Sequence, residues 1–373
     1  MGTLAGGGVL LAVGLLLGYR ELVAIGAAGL VAVALSAGWV VHTPRLTVDR
    51  TVEPGRVRRG ESAVSVVDVL VRSRTAPILH MLDVVRGPDG GLVERSETAT
   101  VVARPGLPTR VRLTLPTARR GVFQVGPLQV GRVDPLGLWS ARRSVGTAQQ
   151  LTVWPAWHAL ARSPRGRIAQ IDAARDMSNI DVFAFHMMRE YVPGDDLRHI
   201  HWRTTARVGT IMVRTHEGTS VARQVLLLDN RQQSYVDADD FEAAVEAAAS
   251  VVVSAAVEGL RLVIVFAADP TRPRPVGSTA AALDLLAAVQ LTAAQIDDDH
   301  VEAALRQNPG GDSLLVITGA RADGEFSRRL SSVYHSGLTA VVDPEPAPVG
   351  AGPIGPVRAA DAARLVTLLQ GQA

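Results

Sequence analysis

A stretch of about twenty uncharged, apolar residues has few places to go: the interior of a protein or the interior of a bilayer. This sequence opens on two such stretches, LAGGGVLLAVGLLLG (4–18) and LVAIGAAGLVAVALSAGWVV (22–41), parted only by Tyr19, Arg20 and Glu21. The second has the length needed to cross the roughly 30 Å hydrocarbon layer; the first is slightly short and would thin the bilayer or begin at Thr3. Neither carries the polar stripe of a helix lying on a soluble core. No positive residue precedes the first run and the second follows at once, which disfavours a cleaved signal peptide. Residues 1–41 are therefore expected to form a transmembrane helical hairpin. Arg45, Arg50, Arg56, Arg58 and Arg59 follow it, whereas the tip offers one arginine offset by a glutamate. The positive-inside rule then predicts a two-pass plasma-membrane protein with its large C-terminal body in the cytoplasm. Anionic lipid would attract that arginine band at about 1 kcal/mol per residue near the surface, and Trp39 stands where an interfacial aromatic should.

A chain of 373 residues that is 47% hydrophobic has material for two or three domains with real cores. It contains no cysteine, which excludes disulfides and thiolate metal sites. Every basic residue is arginine and the formal net charge is only +2, a weak balance for a nucleic-acid partner. Residues 42–153 are expected to form a β-rich, sandwich-like domain. RLTVDRTV, SAVSVVDVLVRS, RVRLTLPT and VFQVGPLQVGRV alternate with period two and are punctuated by proline and glycine. Within it, two strands joined by Gly126-Pro127 lead to a turn at Asp134-Pro135-Leu136-Gly137, with Leu138 and Trp139 as an apolar anchor.

Residues 221–373 read as an α/β domain. ARQVLLLD (222–229), RLVIVFA (261–267), SLLVIT (313–318) and LTAVVD (338–343) are buried strands. A long helix over 237–260, capped by Asp237 or Asp239 and ended by Gly259, and further helices near 279–291, 297–307, 323–335 and 359–370 alternate with them. This rhythm predicts a doubly wound, mostly parallel sheet. Ligands in such sheets meet the carboxyl ends of the strands, here Asp229, Asp269, Thr318 and Asp343. No strand leads into a GxGxxG or GxxxxGK[ST] loop, so nucleotide binding has no support.

Between the two lies a connecting segment, 154–220, that contains MREYVPGDDLRHIHWRTTAR (188–207). Arg189, Glu190 and Tyr191 are expected to be extended. Pro193-Gly194 makes a turn, and Asp195 or Asp196 caps a short helix from Leu197, with Arg198 one turn before Trp202. GTIMVRTHEG (209–218) reads as a strand. His186, His199, His201 and His216 could supply zinc ligands to a hydrolase, but residues two apart on a helix diverge and no HExxH spacing is present. No GxSxG motif supports a nucleophilic serine. Tyr191 and Trp202 could stack on bases, yet the acids interleaved among the arginines suit internal ion pairing better. The expected role is an Arg–Asp network, structural or docking, that ties two domains together through bidentate guanidinium–carboxylate contacts.

The pattern R-E-Y-x-P-G-D-D-x-R-x-I-x-W-x-x-x-A-R closely resembles the signature of domain-of-unknown-function family 58. Its matching positions are Arg189, Glu190, Tyr191, Gly194, Asp195, Asp196, Arg198, Ile200, Trp202, Ala206 and Arg207. RRGVFQVGPLQVGRVDPLGLW (119–139), VLLLDN and the paired apolar runs resemble the family too. The resemblance implies a bacterial, membrane-anchored protein whose C-terminal domain is similar to a von Willebrand factor A domain. Members often occur beside a MoxR-type AAA+ ATPase and a transglutaminase-like membrane protein, which implies assembly, chaperone-like or envelope work, and the resemblance brings no established enzymatic activity with it. Von Willebrand A-type domains often bind Mg²⁺ through D-x-S-x-S after the first strand; here that place reads Asp229-Asn230-Arg231-Gln232-Gln233. Both serines are missing and Arg231 brings positive charge where the ion would sit, so only Asp229 remains of such a site and neither a metal nor a cofactor is expected.

The leading expectation is thus a multidomain, non-enzymatic adaptor bound to the lipid bilayer and working with that ATPase. The alternatives are a His-liganded metallohydrolase on 186–216 and a metal-dependent adhesion protein using Asp229. If the signature forms a buried network, Arg198→Ala or Asp195→Ala should lower stability by about 3–5 kcal/mol, because a buried charge loses its partner. Thermal melting of the two variants checks this, and unchanged melting places the motif at an exposed surface instead.

Overall fold

The computed structural model describes residues 2–41, 45–72, 76–87, 91–96, 98–133, 140–163, 188–192, 200–214, 223–293, 296–307, 311, 313–322, 324–331, 334, 336–345 and 356–371. The chain divides into two compact units, Met1–Trp154 and Pro155–Ala373.

The first unit begins with two apolar helices, α1 (Gly2–Leu17) and α2 (Arg20–Val41). They pack against each other antiparallel. Small residues permit the approach: a Cβ on Gly26 would lie 2.8 Å from the Leu11 Cα, and one on Gly14 would lie 2.7 Å from the Val23 amide. Among the described residues α2 is the one helix long and apolar enough to cross a membrane; α1 is shorter.

Among the described residues, twelve strands follow in three sheets. The first sheet is antiparallel, in the order β1 (Arg45–Glu53), β3 (Ala63–Arg72), β8 (Thr109–Leu115). The second runs β11 (Ser140–Val145), β10 (Leu128–Val133), β4 (Ile78–Leu82), β7 (Ala99–Val102). The third runs β2 (Arg56–Arg58), β12 (Gln149–Trp154), β9 (Gly121–Val125), β5 (Val84–Arg86), β6 (Leu92–Arg95). Period-two alternation builds the core. Val67, Val69 and Val71 of β3 point inward onto Leu79, Met81, Leu128 and Val130 of the second sheet. At the other end of the same sheet, Ala63 and Leu115 meet Val85, Phe123, Val125, Leu151 and Val153 of the third. Full burial of one such aliphatic side chain is worth about 1.5–3 kcal/mol. The turn at 134–137 and its Leu138-Trp139 anchor lie outside the described residues.

The chain passes between the second and third sheets at four places, and three of them converge: Asp83 between β4 and β5, Gly126-Pro127 between β9 and β10, and the link after β11 that contains Thr147. Arg50 on β1 reaches all three. Its Nη1 donates to Asp83 Oδ1 at 2.6 Å, and its Nη2 donates to the carbonyls of Val125 at 2.9 Å and Thr147 at 2.7 Å. Asp83 is fully buried and Arg50 nearly so. Gly126 has φ +93°, and its missing side chain leaves the space that the Arg50 guanidinium fills. Arg50 is therefore not part of an interfacial arginine band, as its position after the apolar runs suggests. The β1 alternation turns it inward, where a counter-charge and two carbonyls meet it.

In the second unit a six-stranded sheet has the order β17 (Asp269–Pro275), β16 (Arg261–Phe266), β15 (Arg223–Leu228), β18 (Ser313–Gly319), β19 (Ser336–Val342), β20 (Val357–Ala359). All neighbours are parallel except β17, which runs antiparallel to β16. Helices α4 (Ala238–Val257), α5 (Thr279–Ala288) and α8 (Ala362–Gly371) cover one face. Helices α6 (Asp298–Gln307) and α7 (Gly324–Ser331) cover the other, where Val301, Leu305, Phe326 and Leu330 pack on Val225, Leu227, Val263, Val265, Leu314 and Val316. Asp237 caps α4 in a reciprocal capping box with Asp240, and Gly259, at φ +68°, follows its end. The expected doubly wound α/β sheet is present. Two strands were not foreseen: β20, and β17, whose Pro270, Pro273 and Pro275 argue against a strand by sequence. Asp269 opens β17 rather than closing β16.

Residues 155–163 lie along this α/β body. The His158 amide donates to Ser250 Oγ at 2.9 Å, Ser163 Oγ bonds Gln224 Oε1 at 2.9 Å, and Gln370 Nε2 donates to the Ala159 carbonyl at 2.8 Å.

Replacing Arg50 by alanine strands a buried carboxylate and is expected to lower stability by about 3–5 kcal/mol. The Arg50→Ala/Asp83→Ala double variant should lose less than the sum of the single losses. Denaturant unfolding of the detergent-solubilised chain and its variants measures both quantities; additive losses would mean that the pair does not act as one unit.

Candidate functional site

In the six-stranded sheet, β15 leads through α4 to β16 on one side, and the chain later crosses to β18 on the other. The strand order thus reverses at β15, and the crevice beyond its carboxyl end is where sheets of this kind hold ligands. Asp229 is the first residue after β15. It is fully buried, and its amide continues the ladder to the Ile317 carbonyl at 2.9 Å.

The chain itself fills this crevice. Arg231 is 1% exposed. Its Nε and Nη2 donate to the two oxygens of the Asp229 carboxylate, each at 2.9 Å. Its Nη1 donates to the Ile296 carbonyl at 2.9 Å and to Asp298 Oδ1 at 2.7 Å. Its Cζ lies 5.2 Å from the centre of the Phe326 ring, within cation–π range. The remaining capacity of Asp229 is taken by Ser234 Oγ at 2.7 Å, Thr318 Oγ1 at 3.0 Å and the Arg231 amide at 3.1 Å. The Tyr235 hydroxyl donates to the Asp229 carbonyl, and its ring meets Phe241 edge-to-face at 5.4 Å.

Each ionisation state follows from these contacts. Burial alone would lower the pKa of Arg231, but its hydrogen bonds and its attraction to Asp229, then to Asp298, outweigh burial and hold it above its ordinary value. Burial first, then the negative charge of Asp229, push the Tyr235 phenol well above its usual range, so it remains a donor. Neighbouring loops complete the enclosure. Asn230 Oδ1 accepts from the Ala268 amide at 3.0 Å, and the amides of Thr292 and Gln232 bond the carbonyls of Asn230 and Thr292, each at 2.9 Å. Gly319 packs so closely on the Ser234 carbonyl and the Tyr235 ring that a Cβ would overlap both.

The hydroxyls missing from positions 231 and 233 are thus supplied from elsewhere. Ser234 lies one residue beyond the D-x-S-x-S register, and Thr318 belongs to the neighbouring strand. Sequence reasoning singled out Asp229 and Arg231 but missed Ser234 and Asp298; the serine displaced by one residue was the available signal. Among the described residues no group of three His, Cys, Asp or Glu side chains is arranged to hold a metal ion. The cluster has acceptors matched to donors and no nucleophile beside a free base, so its chemistry is that of a lock.

The charged signature forms a separate small module of the second unit. Strand β13 (Met188–Glu190) pairs antiparallel with β14 (Met212–Arg214), and the Tyr191 amide extends the pairing to the Ile211 carbonyl at 2.8 Å. On the other side of β14, Ile200 bridges Val213 and the His201 amide donates to Met212 at 2.9 Å. Ile200, Met212 and Val213 are buried. Ile200 is therefore extended, which corrects the expected helix from Leu197. The described helix is α3 (Trp202–Val208), capped by His201 Nδ1 on the Thr204 amide at 3.3 Å and ended by Gly209 at φ +81°. The imidazole does the work assigned to Asp195 or Asp196. The strand expected over 209–218 is described over Met212–Arg214.

Of the signature residues, Arg189 lies on β13, Glu190 is exposed, Tyr191 is half-buried and Ile200 is core. Trp202, Ala206 and Arg207 are exposed on α3, none of whose residues is buried. Gly194, Asp195, Asp196 and Arg198 lie outside the described residues, and with them the expected Arg–Asp network; His186, His199 and His216 do so too.

The family model described as "Protein of unknown function DUF58" matches residues 187–308. The resemblance read from the signature therefore holds across that segment, which carries the β13–α3–β14 module together with Asp229, Arg231, Ser234 and Asp298. No curated protein matches the chain. Among solved structures it is similar to the C-terminal domain of wzt, at 11% identity and TM-score 0.25 over 30% of this chain and 74% of that one. It is similar to a CARDB domain from Pyrococcus furiosus in complex with di-metal ions, at 15% identity and TM-score 0.21 over 30% and 90%. A putative beta-galactosidase from Bacteroides fragilis shares 9% identity and TM-score 0.18 over 81% and 39%. These likenesses are too slight to bear on fold or activity.

Arg231→Ala leaves the Asp229 carboxylate buried without its counter-charge and is expected to cost about 3–5 kcal/mol. In the parent chain, magnesium in place of EDTA should leave the melting temperature of the α/β unit unchanged, because the guanidinium already holds the carboxylate. A magnesium-dependent rise in that temperature would contradict the lock.

Proposed function

We propose that this chain is a two-pass, membrane-anchored, non-enzymatic adaptor. Its cytoplasmic α/β domain, of von Willebrand factor A-like kind, docks a MoxR-type AAA+ ATPase in envelope-associated assembly or chaperone-like work beside a transglutaminase-like membrane protein. Anchoring is supported by the apolar span Arg20–Gly38, of which 17% is buried within the protein, so most of its surface is open to lipid. A role without catalysis is supported by the crevice at the end of β15, which the chain's own guanidinium occupies.

The observation that carries docking is the surface of α3. At the centre of the signature, Trp202 is 67% exposed, and Val192, Val208 and Ile211 of the same module are exposed with it. Arg203 and Arg207, one turn apart, are exposed on the same helix. Tryptophan and arginine are the residue types that most often anchor protein interfaces, and they do so in patches that become desolvated on binding.

Trp202→Ala should leave the melting temperature unchanged, since the side chain lies at the surface. It should weaken capture of the AAA+ ATPase from solubilised membranes by ~30-fold or more, the effect of losing an interface anchor worth at least about 2 kcal/mol. Equal capture by both chains, or no AAA+ ATPase recovered with the parent chain, refutes this reading.

A further inference from the structure

Three large apolar side chains of the β-sandwich stand open to solvent at one end of it. Leu107 is 57% exposed, Ile78 53% and Val102 58%. Apolar residues scattered singly over a surface are ordinary; these are gathered, and the strand register says where. Strand β1 begins at Arg45, four residues after α2 ends at Val41, so the two ends lie within roughly 15 Å of each other. Arg45 pairs with Arg72, and Val69 with Thr109, which puts the end of β3 and the start of β8 at the end of the sandwich that bears the helices.

The link from β7 to β8 is tied down there. Pro105 bridges Val71, the Gly106 amide donates to the Val71 carbonyl at 3.1 Å, and the Ala103 amide donates to the Pro77 carbonyl at 3.0 Å. Val102 closes β7 and Ile78 opens β4; they are cross-strand partners, so their side chains share a face of the second sheet. Leu107 sits in a turn that its amide closes on the Arg104 carbonyl at 3.3 Å. Pro105 and Pro108 fix φ on either side, so the leucine is displayed on a backbone with little freedom left to lose. Arg72, which follows Val71, and Arg104, which opens the turn, are both exposed.

We propose that this rim of the β-sandwich is embedded in the interfacial layer of the membrane that α2 crosses, with Leu107, Ile78 and Val102 at the boundary of headgroups and acyl chains. The proposal rests on the membrane-anchored reading above. A chain that leaves a bilayer at Val41 and enters β1 at Arg45 cannot carry the start of β1 far from the lipid, and the rim tied to that start goes with it. Apolar side chains in such a place leave water for the acyl boundary, while arginine stems lie along apolar surface and keep their guanidinium groups among the headgroups. The sandwich is thus seated on the leaflet by its own loop as well as tethered by the helix.

The chain contains no cysteine, so one introduced cysteine carries a fluorophore at one position. The test places a nitrobenzoxadiazole label at Leu107→Cys, Val102→Cys, Leu35→Cys or Ser62→Cys of the full chain in phosphatidylcholine–phosphatidylglycerol liposomes. Leu35 is 69% exposed on α2, and Ser62 is exposed at the opposite end of β3. Quenching is measured with nitroxide-bearing phosphatidylcholine in the bilayer and with iodide in the water. Labels at Leu107 and Val102 are expected to be quenched from the lipid and shielded from iodide, as at Leu35, whereas Ser62 shows the reverse. Adding Leu107→Asp should weaken the lipid quenching at Val102 without lowering the melting temperature, and undiminished quenching there overturns the proposal. Iodide reaching Leu107 and Val102 as freely as Ser62 also overturns it, and leaves anchoring intact when Leu35 is quenched from the lipid. Labels shielded from both quenchers overturn it too, because protein then covers the rim. A Leu35 label that the lipid nitroxide does not reach overturns the anchoring reading itself, and the proposal with it.

Discussion

A guanidinium that enters a protein interior cannot shed its charge, so its donors must find acceptors and its charge an opposite one. Each folded unit of this chain is organised around one such group. In the β-sandwich, Arg50 bonds three of the four links at which the chain passes between the second and third sheets. In the α/β unit, Arg231 bonds the end of the central strand and the segment leading into α6. The planar fork explains the choice of residue: it reaches several acceptors in fixed directions, which a lysine ammonium does not. In both places a side chain draws together segments far apart in sequence that the backbone ladders leave separate.

The position of Arg231 also shapes what the α/β unit can offer. Doubly wound sheets present a crevice where the strand order reverses, and enzymes and binding proteins use it because backbone donors and loop side chains converge there. Here the convergence is directed inward. Asp229, Ser234, Thr318 and Asp298 aim at one guanidinium and at one another, and Gly319 leaves room for the Tyr235 ring, whose hydroxyl bonds the Asp229 backbone carbonyl. The β13–α3–β14 module separately displays Trp202, a residue type that is largely buried on average.

Much of this architecture can be read from residue order. Uninterrupted apolarity marks α1 and α2, period-two alternation marks the sandwich strands, and short apolar runs bounded by capping residues mark β15, β16, β18 and α4. What escapes such reading has physical causes. Strand β17 holds three prolines, which only an edge position tolerates, and edges are a property of the assembled sheet. The inward turn of Arg50 depends on Asp83, far away in sequence, so local charge counting assigns it to the surface. The start of α3 is obscured because a histidine ring replaces the usual aspartate as its cap. In the cluster at Asp229, the charge of Arg231 and the strand-end place of Thr318 were visible from the sequence, and Ser234 stood one residue out of register, but the second carboxylate, Asp298, is far along the chain and only the fold brings it in.

The prolines of β17 have one more consequence. An open sheet margin is a template on which a second chain can add a strand, and fibrillar self-association begins that way. Pro270, Pro273 and Pro275 carry no amide hydrogen, so the outer margin beyond β16 offers too few donors for a foreign backbone to zip against. Neighbouring copies that collide along this flank would find no ladder to join, which keeps crowding from turning into polymerisation.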